Sequence, residues 1–244
     1  MREVKVVPDA EALAEATVAL FEEAVRAGVT ERGVARVALS GGHTPLPAYR
    51  QLAAAGLDWS RIHLFWGDER GVPPDHPDSN YRAAKEALLD PARIPTEQVH
   101  RIEAERPPEE AAERYEAEIR TAFGTGPSEV PRFDLVLLGL GPDGHTASLF
   151  PGTAALEEHE RLVVANEVPG KGTRITLTWP VLDAAARVAF LVEGAGKASI
   201  VHAVLDGPEG VYPAQRVQPN HGRLLFLLDA PAAGGAGGAG GVRK

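Results

Sequence analysis

The stretch FDLVLLGLGPDGHT, residues 133–146, decides the fold. Its first part, Phe133–Leu138, is a short run that is apolar apart from Asp134, which is typical of a central parallel strand covered on both faces. Its second part is a glycine-rich loop. Ligands bind at the carboxyl ends of the strands in open α/β sheets, so we expect this loop to belong to a binding site.

Similar apolar runs recur along the chain and alternate with helical patterns. The other predicted strands are Val4–Val7, Val34–Leu39, Ile62–Trp66, Leu162–Asn166, Arg174–Thr178, Val188–Val192 and Leu224–Leu228. Helices are predicted after the N-cap Asp9, after Thr44-Pro45 (a cap followed by a proline in the first turn), and over Ser79–Leu89, Glu109–Phe123 and Lys197–Leu205. This alternation predicts an α/β fold with a mainly parallel central sheet flanked by helices, a modified Rossmann-like arrangement. We expect one domain over residues 1–229 and a flexible Ala/Gly-rich tail over residues 230–244.

Composition excludes several classes of function. The 244 residues contain no cysteine, which rules out disulfides, thiolate nucleophiles and zinc–thiolate sites. The net charge of −9 argues against a nucleic-acid or anionic-membrane partner. The apolar runs are too short to cross a bilayer, and the N-terminus lacks the apolar core of a signal peptide. We therefore predict a cytoplasmic protein.

The first chemically informative loop, Ser40-Gly41-Gly42-His43-Thr44-Pro45, lies between a predicted strand and a helix. Its glycines allow close approach of the backbone to a ligand, and a helix N-terminus offers unpaired N–H groups. We expect Ser40, Gly41, Gly42 and Thr44 to bind phosphate. Two alternatives are an ordinary tight turn and a nucleophile elbow in which Ser40 attacks the substrate.

The second loop, Gly67-Asp68-Glu69-Arg70, follows the strand that ends at Trp66. A carboxylate beside an arginine at the end of a strand can orient the guanidinium toward a phosphate. We therefore expect Asp68 or Glu69 to orient Arg70. The alternative is an ordinary surface ion pair.

The third loop, Gly139–Thr146, contains the spacing G-x-G-x-x-G of dinucleotide-binding loops. Pro142 lies inside the turn, and Pro151-Gly152 would end any helix after about two turns, so we reject a nicotinamide cofactor. His145 remains as a group that can carry a proton near neutral pH. The eight histidines include no pair at the spacing that would place two metal ligands on one helix face, so no metal site is predicted.

Together, these motifs resemble 6-phosphogluconolactonases. The matching segments are ALSGG-x-TP (residues 38–45), DER (68–70) with DSNY (78–81), and GLG-x-DGHTASLFP (139–151). The related glucosamine-6-phosphate deaminases share the glycine loop and Asp-Gly-His, but usually continue with Ile-Ala-Phe-Asn-Glu-Pro where this chain has Thr146–Pro151. The lactonase resemblance is therefore the stronger, with a phosphosugar deaminase or isomerase as the alternative.

The resemblance implies hydrolysis of 6-phospho-D-glucono-1,5-lactone in the oxidative pentose phosphate pathway, with no cofactor and no metal. It assigns the general base to His145, and Asp143 lies close enough in sequence to orient the imidazole or the water. Phosphate is expected on the Ser40–Thr44 amides and on Arg70.

The resemblance also implies a basic residue before the strand that contains Arg-Ile-Thr-Leu-Thr. In this chain Lys171 takes that place and Arg174 can share the role, although the segment is shorter than usual. Lys197 resembles another recurrent lysine near a helix start, and is otherwise a solvated charge. The expected partner is a small phosphosugar lactone, and the protein is expected to act as a monomer. A non-catalytic phosphosugar-binding module would leave His145 unexplained.

Overall fold

A seven-stranded, mainly parallel sheet forms the centre of the molecule, as predicted. The computed structural model describes residues 2–234 and the backbone of residues 242–243. The strand order across the sheet is β10-β1-β9-β8-β5-β2-β3. Every neighbouring pair is parallel except β10 with β1. The strands of this sheet are β1 Arg2–Val7, β2 Ala35–Leu39, β3 Ile62–Trp66, β5 Leu135–Gly139, β8 Arg187–Val192, β9 Arg223–Asp229 and β10 Val242–Arg243.

Helices cover the sheet, and their caps follow from the sequence. The Asp9 carboxylate accepts from the N–H of Ala12, so the first helix begins where the sequence predicts it. Gly33 ends this helix with a positive φ of 79°. The helices are α1 Ala10–Arg32, α2 Leu46–Ala53, α3 Asn80–Ala84, α4 Asp90–Ala92, α5 Pro108–Phe123, α6 Trp179–Ala184 and α7 Ala198–Asp206. No described helix is both long and apolar enough to span a membrane.

The chain changes direction between β2 and β5, which are hydrogen-bonded neighbours. Val37 pairs with Leu135 and Ala38 with Val136. From β2 the chain proceeds outward to β3, whereas from β5 it proceeds to β8 on the opposite side. At such a switch point the loops after the two strands diverge and leave a crevice. The two predicted glycine loops follow these two strands.

A second sheet of three antiparallel strands borders this crevice. Two of its strands correspond to those predicted over Leu162–Asn166 and Arg174–Thr178, but their separation from the main sheet was not predicted. Its order is β4-β7-β6, where β4 is Asp68–Arg70, β6 is Val163–Val168 and β7 is Gly172–Leu177. The sequence predicted a polar loop at Asp68–Arg70, and this is wrong. Three polar residues carry no strand pattern of their own, so the strand exists because Asp68 and Arg70 pair with Thr176 and Arg174 of β7.

Two helix predictions need correction, and the predicted flexible tail is only partly covered by the structure. Thr44 does not cap α2, because the helix begins at Leu46 with Pro45 in the cap position and no side-chain cap. The helix predicted over Ser79–Leu89 is α-helical only to Ala84 and continues as a π-helical turn over Lys85–Leu89. In the predicted flexible tail, Ala232 is buried and donates its N–H to the Asp229 carboxylate. Residues 235–241 and 244 lie outside the described residues.

Two buried tyrosines from the helices satisfy backbone groups at the carboxyl ends of β2 and β3. The hydroxyl of Tyr49 donates to the carbonyl of Ser40 and accepts from its N–H. The hydroxyl of Tyr115 likewise donates to the carbonyl of Trp66 at 2.9 Å and accepts from its N–H at 2.8 Å. Buried backbone groups need such partners where sheet pairing ends. These contacts hold the strand ends from which the crevice loops begin.

The Tyr115→Phe variant should reduce the free energy of unfolding by about 1–3 kcal/mol, because it leaves the buried N–H and C=O of Trp66 without the hydroxyl. Urea unfolding followed by circular dichroism measures this difference. Tyr81→Phe is the matched control, since the Tyr81 hydroxyl makes no hydrogen bond among the described residues. Equal losses in the two variants would contradict the role given to Tyr115.

Candidate functional site

A cleft of about 420 Å³ opens at the carboxyl ends of β2 and β5. It brings together residues from all three loops that the sequence singled out. Asp143 does not line the cleft itself, but it contacts His145, which does. The predicted site residues that line the cleft are Ser40, Gly41, Gly42, Thr44, Arg70, His145, Lys171 and Arg174.

The first glycine loop presents a run of unsatisfied donors to the cleft. Within the described residues, the backbone N–H groups of Gly41 to Thr44 have no protein acceptor. Gly42 has a φ of 86°, which an L side chain rarely adopts. Consecutive free amides before a helix form a favourable anion site. The Ser40 hydroxyl is buried and has no hydrogen-bond partner in the described structure, so no base activates it as the elbow hypothesis requires.

Two arginines lie side by side at the edge of the cleft. Arg70 of β4 and Arg174 of β7 are direct cross-strand partners, and both line the cleft. Burial lowers the pKa of Arg174, and the charge of Arg70 lowers it further. Like charges that face each other across a sheet are destabilising, so this pair favours the binding of an anion between or beside the two guanidinium groups.

Neither Asp68 nor Glu69 contacts the Arg70 guanidinium, so the direct orientation expected from the sequence is wrong. The guanidinium donates to the carbonyl of Asp78 at 2.6 Å, which is its hydrogen-bond partner among the described residues. Asp68 contacts Ser148 and Asn80 instead, and Glu69 is buried on the other side of the strand. The sequence could not show this, because adjacent residues of a strand point to opposite faces and β4 was not recognised as a strand.

The third loop holds His145 against Asp143. His145 Nδ1 lies 2.5 Å from Asp143 Oδ1, which also accepts from the His145 backbone N–H at 3.2 Å. A carboxylate only accepts, so Nδ1 carries the proton and Nε2 is left with its lone pair. Gly141 makes room for the ring, since a Cβ at this position would lie 1.9 Å from Nδ1. The loop therefore needs glycine here for packing and not for a dinucleotide.

Phe150 and Lys171 complete the surroundings of the imidazole. The ring of Phe150 stacks on His145 with 3.9 Å between the centroids. Lys171, at the turn of the β6–β7 hairpin, places Nζ 4.6 Å from the centre of the Phe150 ring and 3.9 Å from Asp143 Oδ2. Sequence reasoning gave Phe150 no role, although it belongs to the motif that follows His145.

The surroundings of His145 lower the pKa of its imidazole. Burial lowers the pKa of His145, the hydrogen bond and charge of Asp143 raise it, and the charge of Lys171 lowers it, with the balance below 6.5. Burial raises the pKa of Asp143, but the contacts with His145 outweigh this and hold it below its usual range. A neutral imidazole with a free Nε2 can act as a base near pH 7.

Four further polar side chains line the cleft, those of Asp68, Asn80, Ser148 and Lys197. Neither Asn80 nor Ser148 was predicted as a site residue. The Ser148 hydroxyl donates to the Asp68 carboxylate at 2.5 Å. The Asn80 amide donates to the Asp68 carbonyl at 2.9 Å and packs against Gly41, where a Cβ would lie 1.7 Å from the amide oxygen. Lys197 donates to the carbonyl of Leu140 at 2.6 Å, so it is not simply a solvated charge.

Comparison with known proteins agrees with these features. Residues 8–226 match the glucosamine-6-phosphate isomerase/6-phosphogluconolactonase family. The chain belongs to this family. The resemblance found in the sequence is therefore confirmed.

The family relatives cover nearly the whole chain. A 6-phosphogluconolactonase of Nostoc sp. is 43% identical over 94% of this chain and 96% of its own length. The 6-phosphogluconolactonase of Rattus norvegicus is 42% identical over 83% of this chain and 80% of its own length. The crystal structure of the Thermotoga maritima 6-phosphogluconolactonase has a TM-score of 0.81 and 33% identity, covering 93% of this chain and 100% of that one.

A monomeric glucosamine-6-phosphate deaminase shares the family fold with a TM-score of 0.79. At 20% identity over 96% of this chain and 99% of the other, this likeness concerns the fold alone.

The Asp143→Asn variant should lower the pKa of His145 further, because the carboxylate raises that pKa through its hydrogen bond and its charge. Titration of the histidine ring signals by NMR between pH 4 and 8 measures the shift, with the wild type titrating below 6.5. An unchanged or higher pKa in the variant would show that the carboxylate is not coupled to the ring.

Proposed function

We propose that this protein hydrolyses 6-phospho-D-glucono-1,5-lactone to 6-phosphogluconate, using water activated by His145 and no metal. The observation that carries the proposal is one cleft that holds both a carboxylate-bound imidazole and an anion site. The imidazole belongs to the Asp143–His145 pair, and the anion site consists of the Gly41–Thr44 amides with Arg70 and Arg174. The names of the family relatives support the same substrate.

The anion site suits the phosphate of the substrate. Backbone amides can donate to its oxygens, and a guanidinium can donate in parallel to two of them. Arg70 is tethered by Asp78, which occupies one of its donors and leaves the others for a ligand. Lys171 carries a further positive charge toward the same cleft from the β6–β7 turn.

The proton transfers follow from the tautomer of His145. Nε2 takes a proton from water as the water oxygen attacks the lactone carbonyl carbon, and the imidazolium is stabilised by Asp143. The tetrahedral intermediate then expels the ring oxygen, which receives the proton from Nε2. The bond from the carbonyl carbon to the ring oxygen breaks, and the product is an open-chain acid. Asp143 is a positioning residue in this scheme.

A lactone is an activated ester, so a base and donors for the oxyanion are sufficient for hydrolysis. Ala147 lines the cleft two residues after His145 and has a φ of 45°, unusual for a residue with a side chain. We propose that the backbone donors of the two glycine-rich loops stabilise the developing oxyanion. No covalent intermediate on Ser40 is needed. We further propose that the protein is cytoplasmic, acts as a monomer and binds no nucleic acid.

The Arg70→Ala variant should raise KM for the phosphorylated lactone about ten- to a hundredfold, because a charge-assisted guanidinium–phosphate contact contributes ~1.5–3 kcal/mol. Activity on unphosphorylated gluconolactone should change much less. Steady-state kinetics on both substrates measure the difference, with Arg106→Ala as a control outside the cleft. Equal losses on the two lactones would refute a phosphate-binding role for Arg70.

Replacing His145 by Gln should lower kcat by about 10²–10⁴-fold, since the amide can hydrogen-bond but cannot take a proton. The wild-type rate should fall at acid pH with a midpoint below 6.5, and the variant should lack this limb. Rates are measured after subtraction of spontaneous hydrolysis. His202→Gln is the matched control, because His202 forms an exposed pair with Asp206 elsewhere on the molecule. A near-normal kcat in His145→Gln would rule out the assigned base.

The substrate class is tested by assaying the phospholactone and glucosamine 6-phosphate side by side. Turnover of the lactone alone supports the proposal. Turnover of the amino sugar phosphate alone would assign the site to a deaminase or isomerase. Lack of turnover of either compound, with measurable binding of 6-phosphogluconate, would indicate a binding module.

A further inference from the structure

A buried carboxylate lies behind the proposed anion site and does not itself line the cleft. Glu69 is the middle residue of β4, so its side chain points away from the face that carries Asp68 and Arg70. It is 2% exposed, whereas both neighbours line the cleft. Burial raises the pKa of this carboxyl, and backbone N–H donors around it oppose that rise. A buried carboxylate is costly unless it is fully hydrogen-bonded, so its partners indicate what it stabilises.

Four donors surround Glu69, and three of them belong to one short segment. Oε1 accepts from the backbone N–H groups of Arg70 and Asn80, both at 2.8 Å. Oε2 accepts from the Tyr81 N–H at 2.8 Å and from the Ser79 hydroxyl at 3.0 Å. The carboxylate therefore fixes residues 79–81 against the strand that carries Arg70.

This segment in turn holds two groups of the cleft. Asp78, directly before it, supplies the carbonyl that accepts from the Arg70 guanidinium. Asn80 donates to the backbone of Asp68 and packs against Gly41 of the first glycine loop. Displacement of residues 78–81 would thus misplace Arg70 and loosen the contact between Asn80 and the amide loop.

We infer that Glu69 is a positioning residue for phosphate recognition, acting through Asp78 and Asn80 on Arg70 and on the glycine loop. The inference rests on the proposed function, in which Arg70 binds the phosphate of the lactone. An uncharged amide cannot replace the carboxylate, because its NH₂ group cannot accept and would face two donors. A shift of about 1 Å in a binding group is enough to change kinetic constants severalfold or more.

The test is the Glu69→Gln variant assayed on the phosphorylated and the unphosphorylated lactone. KM for the phosphorylated substrate should rise about tenfold, with kcat within about twofold of the wild type and little change on the unphosphorylated lactone. In the Arg70→Ala background, Glu69→Gln should raise KM by less than it does in the wild type, because the part of its effect that acts on Arg70 is already lost and only the part that acts through Asn80 on the glycine loop remains. A merely structural role would not give this selectivity or this lack of additivity.

Asp134→Asn is the matched control. Asp134 is also 2% exposed, accepts from the Arg36 N–H and pairs with Arg32, but it lies at the amino end of β5, far from the cleft. It should lower stability without changing the ratio of kcat/KM for the two lactones. If Glu69→Gln does not fold, Ser79→Ala removes one bond to the same carboxylate and should show a smaller loss with the same selectivity.

The outcomes separate the inference from the proposed function. If Arg70→Ala is selective for the phosphorylated lactone and Glu69→Gln is selective in the same way, the inference holds. The positioning role is overturned, while the proposed function stands, if Arg70→Ala is selective for the phosphorylated lactone but Glu69→Gln changes the kinetics on both lactones equally, or on neither. Ser79→Ala is read in the same way if Glu69→Gln does not fold. If Arg70→Ala is not selective, the phosphate-binding role of Arg70 and the inference fall together.

Discussion

The parallel pairing of β2 with β5 is the constraint on which the rest of the site depends. These strands lie side by side although about a hundred residues separate them, and the chain leaves them in opposite directions. Their loops therefore diverge at one edge of the sheet. One loop offers backbone amides and the other the Asp143–His145 pair. The tyrosine hydroxyls at the ends of β2 and β3 and the glycine at position 141 preserve this geometry at close range.

The small antiparallel sheet gives the cleft its charge. Its strand pairing places Arg70 opposite Arg174, an arrangement of like charges that costs free energy. Buried support compensates for this cost, since Glu69 and the carbonyl of Asp78 fix one of the two arginines from behind. The cleft thus combines an imidazole of lowered pKa with the side chains of Arg70, Arg174 and Lys171, despite a net charge of −9 for the chain.

Periodicity and loop chemistry were sufficient to predict the main sheet, its flanking helices and the residues of the first and third loops. These features depend on local sequence patterns. Apolar runs predict strands, and glycine or histidine after the carboxyl end of a strand predicts a ligand-binding loop. The short strand β4 could not be predicted, because it is stabilised by pairing with β7 more than a hundred residues away. The orientation of Arg70 by Asp78 and the burial of Glu69 were missed for the same reason. The sequence shows only that Asp143 precedes His145 by two residues. The 2.5 Å contact between their side chains depends on the shape of the turn and could not be predicted.

The β6–β7 hairpin carries two cationic side chains, one within a paired strand and one in the turn. Arg174 lies within a strand, where the register with Arg70 sets its place. Lys171 lies in the three-residue turn, between Gly170 and the first residue of β7, Gly172, and both glycines have positive φ. Insertions in a hairpin turn leave the paired strands intact, so the reach of the lysine can change during evolution while the arginine pair stays in register. A change in the length of this one turn would therefore move the ammonium group of Lys171 relative to the cleft without altering the Arg70–Arg174 pair.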